Sequence, residues 1–121
     1  MKKILIVDDS PTIRRMVAAS LRSLQDAVFE EAGNGLEAIE SLARNRADLM
    51  ILDLNMPGMH GLEVLSFVRS HEKYRVIPVI VLTTKFDEDS RASAIAAGAS
   101  QYMTKPFAPA ALMTQVSQLL N

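Results

Sequence analysis

The chain has 121 residues, no cysteine and a formal net charge of −1, so its length suits one compact domain over residues 1–121. The absence of cysteine excludes disulfides and thiolate metal sites, and the balanced charge argues against direct binding to nucleic acid. No apolar run approaches the roughly 20 residues of a membrane helix or the about 7–15 residues of a signal-peptide core. We therefore expect a cytoplasmic protein without membrane insertion.

The first strand and helix follow each other directly. The apolar run Ile4–Val7 ends at Asp8 and Asp9, which is typical of a strand buried on both faces. Ser10 and Pro11 then supply an N-cap and a first-turn proline for a helix. The apolar residues that follow at helical spacing are Ile13, Met16, Val17, Leu21 and Leu24.

The next strand, residues 28–32, is short and half polar, so we place it near an edge of the sheet. Asn34 and Glu37 resemble a capping box at the start of a second helix. The apolar residues of that helix are Leu36, Ile39 and Leu42. The third strand is the apolar run 49–52, which ends at Asp53, and a turn-rich loop then leads to a third helix with Leu62, Leu65 and Val68 on one face.

The last third of the chain repeats this alternation. The run 79–82 predicts a fourth strand ending at Thr83, and residues 101–104 a short fifth strand ending at Lys105. Between them, Asp87 caps and Gly98 stops a helix that is rich in alanine and has Ile95 as its one large apolar residue. A helix with so little apolar area to bury is easier to shift than its neighbours. Pro109 starts the last helix, where Ala108 is a poor N-cap.

Strands that alternate with helices predict parallel pairing, with helices on both faces of the sheet. Right-handed crossovers then favour a doubly wound α/β fold. In such a fold the carboxyl ends of the strands form one edge, where ligands usually bind. Three carboxylates, a hydroxyl and an ammonium group would meet there, from Asp8, Asp9, Asp53, Thr83 and Lys105.

This combination of groups indicates phosphoryl transfer with a hard cation. Clustered carboxylates repel one another, and oxygen ligands without cysteine favour Mg²⁺ or Mn²⁺ over zinc. Asp53 would be the nucleophile, since carboxylates form acyl phosphates, while Lys105 would offset the charge of the phosphoryl group. Each residue alone is more simply explained as a turn, a helix cap, a strand end or a solvated charge. Their convergence on one edge favours a site.

The chain resembles the receiver domains of two-component response regulators, closest in layout to the single-domain chemotaxis type. The similarity extends from Lys3 to Leu120, and it is carried by the segments Ile4–Ser10, Asp53–Gly61, Val81–Thr84 and Lys105–Phe107. It implies a flavodoxin-like (βα)5 fold, with a five-stranded parallel sheet in the order 2-1-3-4-5. It also implies a cis peptide bond between Lys105 and Pro106.

The resemblance assigns a role to each site residue. Asp53 would be the phosphorylation site, and Lys105 would bind the phosphoryl group. Thr83 and Tyr102 would be the switch pair, with Tyr102 moving inward as Thr83 is drawn to the phosphoryl group. The metal ligands would be Asp8, Asp9, Asp53 and the backbone carbonyl of Asn55. The residues expected to tune the rates are Asn55, Thr84 and Lys85.

The resemblance also implies protein partners and argues against catalytic turnover of a substrate. A sensor histidine kinase would donate the phosphoryl group, and a protein target, in chemotaxis or motility signalling, would bind the face formed by the fourth helix, fifth strand and fifth helix. The protein would be no enzyme beyond self-phosphorylation and slow autodephosphorylation. Met1 opens tightly onto the first strand, so we expect a stand-alone protein; an excised piece of a larger regulator and a phosphorelay intermediate remain alternatives.

Two other classes of protein fit less well. Aspartate-nucleophile phosphatases resemble this site, but they carry a second acid two residues after the nucleophile, where Asn55 stands here and cannot act as an acid. A flavodoxin-like nucleotide module would need a Gly-rich or Ser/Thr-rich loop after the first strand, where Asp8 and Asp9 would repel phosphate.

Overall fold

The computed structural model describes residues 1–84 and 87–121, in which five strands alternate with five helices. The strands are β1 (Lys2–Val7), β2 (Ala27–Ala32), β3 (Leu49–Leu52), β4 (Val79–Thr83) and β5 (Gln101–Thr104). The helices are α1 (Pro11–Ser20), α2 (Gly35–Arg44), α3 (Gly61–Ser70), α4 (Glu88–Ala96) and α5 (Pro109–Leu120). None of the described helices is long and apolar enough to cross a membrane.

All neighbouring strands are parallel, and their order is β2-β1-β3-β4-β5. The predicted doubly wound α/β fold and strand order are therefore confirmed. The half-polar strand β2 lies at an edge, as its pattern indicated. Because Val7 pairs with Leu52 in register, β1 and β3 end side by side at the point where the strand order reverses, which is the usual ligand crevice of such sheets.

The core has two layers, one on each face of the sheet. In β1, Ile4 and Ile6 pack toward α1 and α5, while Leu5 and Val7 pack toward α2, α3 and α4. All four side chains are at most 1% exposed. Burial on both faces explains why β1, β3 and β4 appear in the sequence as unbroken apolar runs and not as alternating patterns.

The starts of the helices follow the capping chemistry of the sequence, with one exception. Asn34 Oδ1 accepts from the N–H of Glu37 at 2.9 Å, but Glu37 Oε1 accepts from the N–H of Gly33 at 2.7 Å. The predicted capping box is thus confirmed for Asn34 and wrong for Glu37, whose side chain reaches one residue further back than the Asn34 N–H. In the described chain no side chain caps α5, in agreement with the expectation for Ala108.

Two apolar residues of the predicted helical patterns lie at the surface. Met16 is 50% and Leu36 is 60% exposed. Small residues bring α2 close to the sheet instead, since Ala38 and Ser41 are buried beside Leu42. The helix therefore buries a narrower stripe than its apolar spacing suggested.

Helix α4 is held mainly at its carboxyl-terminal end. Within the described chain its one buried residue is Ala94, and Ile95 is 41% exposed. Just beyond the helix, Gly98 adopts a φ of 110°, and its carbonyl accepts from Arg69 Nε of α3 at 2.9 Å. Arg69 Nη1 donates further to the carbonyls of Arg75 and Ile77, so this guanidinium joins α3 to two loops.

Candidate functional site

The strand ends bring the predicted polar residues together at one edge of the sheet. Asp8 directly follows β1 and Asp53 directly follows β3, and the Asp53 N–H donates to the Val7 carbonyl at 2.9 Å. Thr83 is the last residue of β4, and the N–H of Lys105 donates to its carbonyl at 2.8 Å. The Lys105-Pro106 peptide bond is cis, as the resemblance implied.

Three polar side chains of this edge are buried. Asp8 is 3%, Asp53 is 4% and Thr83 is 0% exposed, whereas Asp9 is exposed to solvent. Lys105 Nζ lies 2.7 Å from Asp8 Oδ2 and 3.6 Å from Asp53 Oδ1. The second oxygen of Asp8 accepts from the N–H of Ser10 at 2.9 Å. Lys105 therefore bridges two buried carboxylates that would otherwise repel each other.

The charges around this bridge are not balanced. One carboxylate oxygen from each of Asp8, Asp9 and Asp53 lies within 4.8 Å of the others, and among the described residues Lys105 is the ammonium group that contacts Asp8 and Asp53. Three carboxylates against one ammonium leave an excess of two negative charges when all are ionised. Carboxylate oxygens in this arrangement suit a hard divalent cation such as Mg²⁺ or Mn²⁺.

The electrostatic environment of Asp53 disfavours its charge. Burial raises the pKa of Asp53 above its usual value, and the nearby Asp8 raises it further. Lys105, the backbone N–H of Asn55 and the Thr83 hydroxyl act in the opposite direction and lower this pKa, but only in part. Additional positive charge next to Asp53 would therefore stabilise its ionised, nucleophilic form.

The loop that follows Asp53 is closed by His60 and Gly61. The N–H of Gly61 donates to the Leu54 carbonyl at 2.9 Å, and a Cβ on Gly61 would lie 2.6 Å from the Leu54 Cα. His60 Nδ1 accepts from the Leu62 N–H while Glu63 Oε1 accepts from the His60 N–H. His60 is thus a reciprocal helix cap, and the glutamate three residues later was the available signal in the sequence.

Tyr102 lies on the same face of the sheet as Thr83. In the β4–β5 register Val81 pairs with Tyr102, and Val81 and Thr83 point to one side because they are two residues apart. Burial raises the pKa of the Tyr102 hydroxyl, as does Asp87 at the start of α4, while Arg91 lowers it. The half-buried ring therefore lies between the end of the sheet and α4.

Two of the residues expected to tune rates lie within two positions of a site residue in the sequence. Asn55 and Thr84 are both exposed, each close in sequence to a buried site residue. Lys85, which we expected beside them, lies outside the described residues.

Arg14 of α1 is a site residue that the sequence interpretation missed. Its Nη1 donates to the Asp8 carbonyl at 2.6 Å, and its Nε donates to Glu31 Oε1 at 2.7 Å. The sequence offered only its place five residues after Asp9, in the early part of the first helix, which does not distinguish it from the neighbouring Arg15.

Comparison with known proteins identifies the family. A sequence model of the response regulator receiver domain matches residues 4–117. The chain belongs to the response regulator receiver family. Among characterised relatives, a CheY homologue of Campylobacter jejuni is 38% identical over 120 residues, covering 98% of this chain and 92% of its own. CheY1 of Helicobacter pylori is also 38% identical over 120 residues, covering 98% of this chain and 97% of its own.

Solved structures agree with this assignment. The chemotaxis protein CheY4 of Vibrio cholerae is 36% identical with a TM-score of 0.90, and 99% of each chain is covered. The manganese-bound form of the response regulator Rcp1 is 31% identical with a TM-score of 0.84, covering 98% of this chain and 91% of its own. This receiver is thus closely related to CheY chemotaxis regulators, a family in which phosphorylation on an aspartate and switching of partners are typical. Such relatives are signalling regulators and not conventional enzymes.

Proposed function

We propose that Asp53 of this receiver accepts a phosphoryl group from a phosphohistidine on a sensor histidine kinase, and that the acyl phosphate changes which protein the receiver binds. The observation that carries this proposal is the position of Lys105, whose Nζ lies 2.7 Å from Asp8 and 3.6 Å from Asp53. A buried carboxylate beside a fixed ammonium and a second carboxylate is an arrangement suited to phosphoryl transfer.

In the transfer step a carboxylate oxygen of Asp53 forms the new P–O bond. The P–N bond of the phosphohistidine breaks, and its electron pair stays on the imidazole nitrogen. Lys105 offsets negative charge on the transferred group, and the Thr83 hydroxyl, which already contacts Asp53, donates to a phosphoryl oxygen. Because Asp53 is 4% exposed, little bulk water reaches its carboxylate before the phosphoryl group arrives.

The metal site of this proposal holds Mg²⁺, or Mn²⁺ in its place. Its ligands are the carboxylates of Asp8, Asp9 and Asp53 together with the backbone carbonyl of Asn55. The excess negative charge of the three carboxylates and their all-oxygen chemistry support this choice. When bound, the cation supplies positive charge beside the phosphoryl oxygens.

The output of this proposal uses Thr83, Tyr102 and the face formed by α4, β5 and α5. Movement of Thr83 toward the phosphoryl group leaves space on the sheet face that Tyr102 shares with it. Helix α4 follows readily, since Ala94 is its one buried residue in the described chain. We place this output in chemotaxis or motility signalling in the cytoplasm, with residues 1–121 acting as one domain through protein contacts.

The lifetime of the acyl phosphate would be set by the residues around it. Asn55 stands where a phosphatase carries its proton-donating acid, which favours slow autodephosphorylation over turnover. Thr84, with Lys85, would control access of the attacking water. We expect Thr84→Ala to change the dephosphorylation rate measured after removal of the phosphodonor, whereas an unchanged rate would contradict this role.

Labelling with a small phosphodonor tests the phosphorylation site. Wild-type protein incubated with acetyl phosphate and Mg²⁺ should gain one phosphoryl group by mass spectrometry, and Asp53→Asn should gain none. Asp26→Asn is the matched control, because Asp26 is exposed and its φ of 60° is tolerated by asparagine. Labelling of Asp53→Asn at the wild-type level would overturn the proposal, as would full labelling in excess EDTA.

Hydrogen exchange tests the output face. Beryllofluoride, a mimic of the phosphoryl group, added with Mg²⁺ should change amide exchange in α4, β5 and the start of α5. Asp53→Asn should show no such change under the same conditions. Changes confined to the loops around Asp53 would refute the switching part of the proposal while leaving the phosphorylation site intact.

A further inference from the structure

Asp9 is the least constrained of the three carboxylates at the site. Asp8 accepts from Lys105 and from the N–H of Ser10, and Asp53 is held by Lys105, Thr83 and the backbone of Asn55. Among residues 1–84 and 87–121, no hydrogen bond or ion pair reaches the Asp9 side chain, which is exposed. Its direction therefore depends on the backbone from which it starts.

Arg14 fixes that backbone. Its Nη1 donates to the Asp8 carbonyl at 2.6 Å, and this carbonyl belongs to the same rigid peptide plane as the N–H of Asp9. Its Nε donates to Glu31 at the end of β2 at 2.7 Å, so the guanidinium is itself anchored. The Arg14 side chain is 17% exposed, and this partial burial limits the screening of both contacts by solvent.

We propose that Arg14 is a positioning residue for the divalent cation, acting through the Asp8–Asp9 peptide plane. This inference rests on the metal site proposed above and deepens it. Partners that orient a ligand without touching the metal are typically worth about 10–100-fold in metal affinity. Arg14 links α1 and β2 to the peptide that carries Asp9, so its loss should let Asp9 turn away from Asp8 and Asp53.

The charge of Arg14, considered alone, predicts the opposite change in cation affinity. The positive charge of Arg14 lies near the cation and repels it, so removal of that charge should tighten binding. Lysine keeps the charge but has no planar fork with which to contact the Asp8 carbonyl and Glu31 at once. Arg14→Gln therefore separates the two effects by the sign of the change in affinity, and Arg14→Lys tests the loss of the contacts while the charge is kept.

The experiment measures the affinity of the unphosphorylated protein for Mn²⁺ by electron paramagnetic resonance, with no phosphodonor present. We expect Arg14→Gln and Arg14→Lys each to weaken binding about 10-fold. Arg15→Gln is the matched control, because Arg15 is the exposed neighbour and its side chain makes no hydrogen bond or ion pair with any described residue. It should bind Mn²⁺ as wild type does. Urea unfolding in EDTA verifies that each variant is folded at the temperature of the titration.

The outcomes distinguish this inference from the proposed function. Unchanged or tighter binding by Arg14→Gln overturns the positioning role alone, as does wild-type affinity in Arg14→Lys. A wild-type protein that binds no divalent cation overturns the metal site, and the role of Arg14 with it. Loss of affinity in Arg15→Gln equal to that in Arg14→Gln shows that the loss does not depend on the contacts of Arg14 with the Asp8 carbonyl and Glu31, and it also refutes the inference.

Discussion

Gly61, the first residue of α3, lies directly against the backbone of Asp53. A Cβ on Gly61 would overlap the Asp53 carbonyl oxygen and would stand 3.0 Å from its carbonyl carbon. Both partners are backbone atoms, which cannot move aside as the end of a flexible side chain does. The start of α3 therefore fixes the position of the strand end that carries the proposed nucleophile.

We expect Gly61→Ala to lower the free energy of unfolding by about 1–3 kcal/mol, the usual cost of overpacking, and to slow labelling of Asp53 by acetyl phosphate. Urea denaturation and the labelling rate measure the two effects. Gly58→Asn is the control in the same loop, since Gly58 has open space around it and asparagine tolerates its φ of 80°. Equal labelling rates in wild type and Gly61→Ala would contradict this prediction.

The raised pKa of Asp53 predicts how stability depends on pH without metal. Between the usual carboxyl pKa and the raised value in the fold, the native state binds more protons than the unfolded state, so stability falls as pH rises. Asp53→Asn has no carboxyl group to ionise at this position, so its stability does not fall with pH for this reason. We expect it to be more stable than wild type at pH 7 in EDTA, by about 1.4 kcal/mol for each pKa unit of the shift.

The advantage of Asp53→Asn should disappear as the pH falls below about 4, where the wild-type carboxyl is protonated in both states. Urea unfolding across this range measures it. A difference between the two proteins that does not vary with pH, or a wild type that is the more stable at pH 7, would show that burial does not penalise the Asp53 charge.

Arg69 donates to the Gly98 carbonyl just after α4, and to the carbonyls of Arg75 and Ile77 in the loop between α3 and β4. Arg69→Met should destabilise the fold by about 1–3 kcal/mol, because part-buried carbonyls lose their donor. Amide exchange at residues 97–99 should rise more than exchange in β1. The exposed Arg75, replaced by methionine, is the control and should change neither quantity. Equal changes in amide exchange throughout the protein would contradict the idea that Arg69 stabilises residues 97–99 locally.

Ala108 leaves the start of α5 without a side-chain cap in the described structure. Its φ of −83° and ψ of 124° are those of an ordinary N-cap residue, so Ala108→Ser needs no change of backbone. We expect it to raise the free energy of unfolding by about 1 kcal/mol. Ala110 is the second residue of the same helix, so Ala110→Ser should not raise the free energy of unfolding. Equal effects of the two substitutions would argue against capping.

Local patterns in the sequence were sufficient to predict the strands and helices and the edge of the sheet at which the candidate site residues lie. The unbroken apolar runs that became β1, β3 and β4 each ended in a polar residue, and parallel strands place such ends together whatever the details of packing. Asp8, Asp53, Thr83 and Lys105 could therefore be assigned to one site before any distance was known. The capping residues Ser10, Asn34 and Asp87 were equally local, since each acts within one helical turn.

Contacts between elements that are distant in sequence were decided only by the tertiary structure. Four contacts depend on how the strands and helices pack against one another. They are the bridge from Lys105 to Asp8, the overlap that excludes a side chain at Gly61, the hydrogen bond from Arg69 to the Gly98 carbonyl and that from Arg14 to the Asp8 carbonyl. A charged or small residue has many compatible partners, and only packing selects among them. Asp53 could be proposed as the phosphorylation site from the sequence because that proposal depends on residue type and strand order, whereas its raised pKa depends on burial and neighbours that only the folded chain supplies.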